Sequence, residues 1–250
     1  MNPWLSKNIN SAKRYLNLYS LDELPSVDLL VLTYRTKIID RIKENINNQV
    51  VKPNRVIVVT DRYTPEDVDK LQGITNCNEL IIISDVPTEV ILGERNNIAF
   101  QHSVSEYVAM FDDDDIYYPY YLKSQLSYLK ECGKPAGISK VNPVGRDESC
   151  NMCGFVLRTY RNDLARAGAG GSIVLHRSIV EKYGFEKIRC GYDSIILHKT
   201  KLDPDFELLS SDPFNFIVTR GRPEGHTWRL PKSGIYWNNV IPKELDLRGE

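Results

Sequence analysis

The sequence predicts an α/β protein built on a mostly parallel sheet flanked by helices, with a smaller irregular C-terminal region. Three observations predict it. Short runs rich in apolar residues, of strand length, recur through the first half at 27–33, 55–60, 80–84 and 107–111. Segments with helical spacing alternate with them, and that alternation is the mark of a parallel sheet with crossover helices. The runs are largely apolar rather than alternating, as expected of strands covered on both faces.

Residues 11–24 place Tyr15, Leu18, Tyr19 and Leu21 at helix-like spacing, and Pro25 ends the pattern. Residues 27–33 then read as the first buried strand. Ile39, Ile42, Ile46 and Val50 give 38–50 a helical period, broken by Pro53. Residues 55–60 form a second strand. Pro65 sits at the start of a short helix over 65–72. A third strand follows at 80–84, a helix at 96–105, a fourth strand at 107–111, and an amphipathic helix over 120–129.

Beyond residue 133 the pattern loosens. One strand is expected over 138–144 and a strand or hairpin arm over 154–160. The run Gly168-Ala169-Gly170-Gly171-Ser172 precedes an apolar stretch at 173–175. Short helices are expected over 178–183 and 193–199, and a strand over 214–219. Residues 220–250 read as an irregular tail. The expected organisation is an N-terminal helical extension (1–26), a regular α/β half (27–132) and a loosely patterned half with its tail (133–250), within one domain.

The chain has 250 residues, enough to bury a full core. Its formal net charge of -1 excludes a role driven by a basic field on nucleic acid or a membrane surface. Fourteen tyrosines, many in polar contexts, suit a carbohydrate-binding surface. Five cysteines, an odd number, argue against a complete disulfide framework. Cys150 and Cys153 form one Cys-x-x-Cys pair with no partner pair at zinc-ribbon spacing, so free thiols in a reducing compartment are expected. The first ten residues lack the apolar core of a signal peptide, and no apolar run approaches the ~18 residues that span a bilayer. A soluble, cytoplasmic protein is expected, with peripheral contact to a membrane-linked acceptor left open.

The stretch that organises the chain is Phe111-Asp112-Asp113-Asp114-Asp115-Ile116-Tyr117-Tyr118-Pro119. Four adjacent carboxylates repel one another and raise one another's pKa. A cation relieves that cost, and Mg²⁺ or Mn²⁺ commonly bridges such carboxylates to phosphate oxygens. The alternative is a solvated turn that caps the following helix. Right-handed crossovers bring the strand carboxyl ends to one edge, so Thr33-Tyr34-Arg35, Thr60-Asp61, Ser84-Asp85 and Asp112 to Asp115 become neighbours around one nucleotide-sized crevice.

With these residues assembled, the chain resembles the inverting family 2 glycosyltransferases of the GT-A fold. Four stretches carry the resemblance. They are the strand and turn ending Thr33-Tyr34-Arg35 with the later strand ending in Asp61, Gly93-Glu94-Arg95-Asn96-Asn97, the acidic run with its following proline, and Gly191-Tyr192-Asp193. The first three lie between residues 27 and 130 and are specific together.

The resemblance implies a metal-dependent transferase moving a sugar from a nucleotide-sugar, by default a UDP-sugar, to a hydroxyl of a glycan, glycolipid or cell-wall polymer. It implies Thr33, Tyr34, Arg35, Asp61, Arg95, Asp112 and Asp113 around the nucleotide, and Mn²⁺ or Mg²⁺ on Asp114 with Asp112. Arg95 is open to a second reading, a salt bridge to Glu94 or Asp112. His226, near Trp228 in the tail, is either an added metal ligand or a surface residue. Asp193 is the implied general base, although many relatives carry Glu-Asp where this chain has Tyr192-Asp193, and Asp193 is equally placed to cap a helix. Gly170-Gly171-Ser172 is either a close backbone approach to a substrate or a flexible turn. Two rival readings are a nucleotidyltransferase that makes nucleotide sugars and a non-catalytic carbohydrate-binding module. The first would need a glycine-rich phosphate loop where Thr33-Tyr34-Arg35-Thr36-Lys37 stands. The intact set of Asp112, Asp114 and Asp193 argues against the second.

Overall fold

A computed structural model describes residues 3–140, 144–147, 152–156, 170–220, 235–236 and 245–248. The first strands and helices follow in alternation: α1 (Pro3–Leu18), β1 (Val27–Leu32), α2 (Ile39–Asn47), β2 (Arg55–Val59), α3 (Pro65–Leu71), β3 (Glu79–Ile83), α4 (Leu92–Gln101) and β4 (Tyr107–Asp112). Then come β5 (Ile116–Tyr117), α5 (Tyr121–Glu131), β6 (Ala136–Lys140), β7 (Val144–Asp147), β8 (Met152–Val156), β9 (Val174–His176), α6 (Arg177–Tyr183), α7 (Tyr192–Leu202), β10 (Glu207–Ser211), β11 (Phe216–Arg220) and β12 (Ile235–Tyr236).

The main sheet has the order β10-β6-β9-β4-β1-β2-β3. β4, β1, β2 and β3 are parallel to their neighbours, as are β6 and β10. β9 is antiparallel to both β4 and β6. Six strands therefore end at one edge of the sheet, and β9 begins there.

Alternate residues of the central strands face opposite cores. Leu29, Val31, Val56, Val58, Ala109 and Phe111 pack with Ile42 and Ile46 of α2, Leu71 of α3, and Leu122 and Leu126 of α5. Leu30, Ile57, Val59, Val108 and Met110 pack with Ala99 of α4, Ile179 of α6, and Ile196 and Leu197 of α7. Both faces are covered, which is why these strands read as apolar runs. The exception within β1 is Asp28, which is fully buried at the far edge. It accepts from the backbone N–H groups of Arg55, Val104 and Ser105 and from the hydroxyls of Ser103 and Ser105. Those five donors offset its desolvation.

The first half follows the sequence pattern with shifted ends. The N-terminal helix lies at Pro3–Leu18 rather than 11–24, and residues 21–23 form a separate 3₁₀ turn. α4 begins four residues before the expected start, because Ile91 takes the extended cap conformation. The single strand expected over 138–144 is two strands, β6 and β7, in different sheets. β10 and the two-residue β5 carry no clear sequence signal.

The second sheet, β12-β8-β7-β11-β5, lies in the C-terminal half apart from β5, which follows the acidic run. It packs through Val144, Phe214 and Ile217 on Ala12 and Leu16 of α1. Among the described residues no helix is long and apolar enough to cross a membrane.

Candidate active site

The acidic run turns the chain from β4 into β5. Side chains from α2 and the turn just after it hold its backbone. Arg41 Nη1 donates to Asp114 O at 2.9 Å, Asn45 Nδ2 to Asp115 O at 2.9 Å, and Gln49 Nε2 to Tyr118 O at 3.0 Å. Asn45 Oδ1 also accepts from Tyr117 N at 3.1 Å. Residues 41, 45 and 49 are spaced four apart, so one polar stripe follows the loop. Beneath the loop, Tyr117 stacks on Phe111 with ring centroids 3.8 Å apart, and Tyr121 and Phe216 close the cluster.

The four carboxylates point in different directions. Asp113 turns toward the first strand, where it accepts from Thr33 Oγ1 at 2.8 Å and from Arg35 Nη1 at 2.9 Å. Asp112, Asp114 and Asp115 converge, each offering an oxygen within 4.8 Å of the others. Asp115, to which the sequence reading gave no role, is fully buried and accepts from Thr219 N at 2.8 Å. Arg35 spans the two groups, with Nη1 also 2.8 Å from Asp114 Oδ2. Three converging carboxylates offer the hard oxygen donors that Mg²⁺ and Mn²⁺ take, so the residues present fit a divalent cation.

The nucleotide-side residues gather on the same edge. Tyr34 lies under two guanidinium groups, Arg35 at 5.2 Å and Arg62 at 5.6 Å from its ring centroid. Tyr63, whose phenol burial pushes up to about 12, lies 2.8 Å from Thr33 Oγ1 and donates to Arg35 O. Asp61 is held by Arg95, Nη2 to Oδ2 at 2.7 Å. Arg95 thus pairs with neither Glu94 nor Asp112; Glu94 pairs with Lys187. Arg95 also donates to the carbonyls of Val90 and Pro87 and is buried. Asp61 Oδ1 is buried with no hydrogen-bond partner among the described residues, an acceptor left available.

Asp193 is the second residue of α7. The helix cap is Gly191, with φ 88°, and not Asp193. Asp193 faces the short 3₁₀ turn at Gly170–Ser172 that leads into β9. A β-carbon at Gly170 would lie 2.7 Å from Asp193 Oδ2. One at Gly171 would lie 2.8 Å from Asp112 Cγ and 2.8 Å from Tyr117 Oη. The paired glycines therefore let backbone pass between Asp112 and Asp193. Tyr117 locks the turn to the acidic loop, accepting from Asp112 N at 2.8 Å and donating to Gly171 O at 2.7 Å. Tyr192 lies close to both carboxylates. Burial drives its phenol well above the usual range, and Asp112 and Asp193 add to the shift.

The structure thus brings together Thr33, Tyr34, Arg35, Asp113, Asp112 and Asp114, links Asp61 to Arg95, and sets Asp193 across one turn from Asp112. His226 and Cys150 lie outside the described residues.

Comparison with solved structures returns a mannosyltransferase and a protein solved with a sugar nucleotide. The mannosyltransferase PcManGT from Pyrobaculum calidifontis, solved with GDP-Man and Mn²⁺, matches with TM-score 0.62 and 17% identity over 87% of this chain. S. aureus TarS 1-349 in complex with UDP-GlcNAc matches with TM-score 0.57 and 16% identity over 80% of this chain. The chain spans 64% of the first and 60% of the second. At these identities the likeness is one of fold, the GT-A arrangement of a mostly parallel sheet flanked by helices. Comparison with curated protein sequences finds no match. The sequence profile described as Glycosyl transferase family 2 matches residues 29–184, more than half of the chain, from within β1 through α6. A sheet edge bearing converging carboxylates, on a chain that fits this profile from its first strand to its sixth helix, makes the protein a member of glycosyltransferase family 2.

Proposed function

We propose that this protein is a metal-dependent, inverting transferase that moves a sugar from a nucleoside-diphosphate donor, a UDP-sugar first, to a hydroxyl of a glycan, glycolipid or cell-wall polymer. The observation that carries the reading is the position of Asp193 across the Gly170-Gly171 turn from Asp112. A carboxylate facing a separate acidic cluster divides the labour that inverting transfer needs. Asp112 and Asp114 hold Mn²⁺ or Mg²⁺, with Asp115 completing the oxygen set. When bound, the cation supplies positive charge against the diphosphate leaving group.

The remaining work belongs to the chain's own residues. Asp61 accepts from a base N–H through its free Oδ1 while Arg95 fixes its orientation. Tyr34 offers an aromatic face beside the base. Thr33 and Asp113 fix Arg35 near the phosphates. Asp193 takes the proton from the acceptor hydroxyl as that oxygen attacks the anomeric carbon from the face opposite the leaving group. The neighbours solved with GDP-Man and UDP-GlcNAc support a nucleotide-sugar donor.

The test is transfer and donor hydrolysis across a panel of UDP- and GDP-sugars with Mn²⁺, for wild type, Asp114→Ala and Asp193→Asn. Both variants should lose turnover, Asp193→Asn by about 10²- to 10⁴-fold. Only Asp114→Ala should also weaken nucleotide binding in calorimetry. Full turnover in Asp193→Asn removes it as the base.

A further inference from the structure

We propose that Asn97, one turn into α4, is a positioning residue that aligns Asp193 with the donor site by clasping the loop ahead of α7. This rests on the reading of Asp193 as the base. Three consecutive side chains of α4 reach three different parts of the site. Arg95 holds Asp61 on the nucleotide side at 2.7 Å. Asn96 lies beside Tyr192, the residue before Asp193, and opposes the rise of its phenol pKa. Asn97 makes a reciprocal pair with the backbone of Phe185, Nδ2 donating to Phe185 O at 2.7 Å and Oδ1 accepting from Phe185 N at 2.8 Å.

Two bonds to one residue fix both the position and the direction of the loop at that point, as a strand pair would. The start of the helix adds a further hold. Gly93 N donates to Ile188 O at 3.2 Å, and a β-carbon at Gly93 would lie 1.9 Å from Glu186 O, so only glycine admits this approach. Lys187 pairs with Glu94 at 3.0 Å over the same contact. The loop between the clasp and α7 turns on Gly191, which has the left-handed φ of 88°. The clasp is therefore what limits how far the start of α7 can swing. A helix gripping Asp61 on one side and this loop on the other transmits the placement of the nucleotide to the placement of the base.

The isosteric Asn97→Asp keeps size and acceptor but loses the donor and sets a carboxylate against Phe185 O. Asn97→Ala removes both bonds. The experiment measures three things on each variant and on Asp193→Asn. They are UDP and GDP binding with Mn²⁺ by calorimetry, kcat and donor KM on the sugar nucleotide turned over in the panel, and amide hydrogen exchange across 185–193. Asn97→Asp is expected to bind nucleotide and to show donor KM like wild type. Its kcat should fall by about 10- to 100-fold, the scale of a ~1 Å misplacement, and exchange across 185–193 should quicken. Equal losses in nucleotide binding and kcat would overturn the proposal in favour of a general folding role. Wild-type kcat in both Asn97 variants, with turnover lost in Asp193→Asn, would overturn the clasp alone. Wild-type kcat in Asp193→Asn would instead remove the base assignment beneath it.

Discussion

At the scale of single residues, the site depends on where backbone lacks a side chain. Gly171→Ala would bring a methyl group within 2.8 Å of Asp112 Cγ and Tyr117 Oη, and Tyr117 cannot retreat freely. Tyr117 is buried among Phe111, Tyr121 and Phe216, and its hydroxyl is engaged twice. Asp112 is therefore expected to move. Calorimetric titration of Mn²⁺ in the presence of UDP should show affinity reduced by about 10-fold or more, with circular dichroism unchanged. At this scale the sequence showed which residues matter better than it showed what each does. Four consecutive aspartates are indistinguishable on the page. Only the turn after β4 decides that Asp113 faces Thr33 and Arg35 while Asp112, Asp114 and Asp115 converge. For that reason nothing in the sequence assigns Asp115 a role of its own. That Gly170-Gly171 passes tightly between two carboxylates is invisible in the sequence, because Asp112 and Asp193 come from distant segments.

At the scale of elements, apolar periodicity located helices and hid their polar faces. α2 was visible through Ile39, Ile42 and Ile46, yet its stripe of Arg41 and Asn45, continued by Gln49, supports the acidic loop. α4 was placed too late because its start carries no side-chain cap. α6 carries an unusual cap with a pH consequence. His176 Nδ1 accepts from Ser178 N at 3.2 Å, which requires an unprotonated nitrogen. Burial lowers the His176 pKa below its ordinary 6.5, against the opposing pull of Glu106 and Glu181. A depressed histidine pKa means that the fold prefers the neutral ring. Its contribution is fully present above about pH 6.5 and is lost as pH falls through the lower folded value. Melting temperature should drop between pH 7.5 and pH 5 in wild type, and less steeply in His176→Asn, whose cap does not titrate. Parallel slopes in the two proteins would contradict the assignment.

At the scale of the whole molecule, one buried ion pair joins β6 to the turn after β10. Lys140 Nζ is fully buried, donates to Asp212 O at 2.7 Å and lies 3.7 Å from Asp212 Oδ1. Desolvation lowers its pKa and Asp212 opposes the shift. Asp212→Ala removes that cation's counter-ion, leaving its bond to the backbone O of residue 212, and also removes the acceptor for Phe214 N. It should cost about 3–5 kcal/mol in urea unfolding. Lys140→Met should cost less, because Asp212 keeps its bond from Phe214 N and a neighbour in Ser124. The parallel part of the main sheet was readable because each strand is followed by its own crossover helix. The second sheet was not, since strands of two to five residues from distant segments make it, such as β5 against β11 and β11 against β7. The reversed course of β9 has an evolutionary corollary. Gly170, at the entrance to β9, lies on the rim beside Asp193, and Gly171 lies beside Asp112. A lineage that altered how the chain arrives at that turn would therefore shift the two carboxylates relative to each other before it disturbed Asp61 and Arg95.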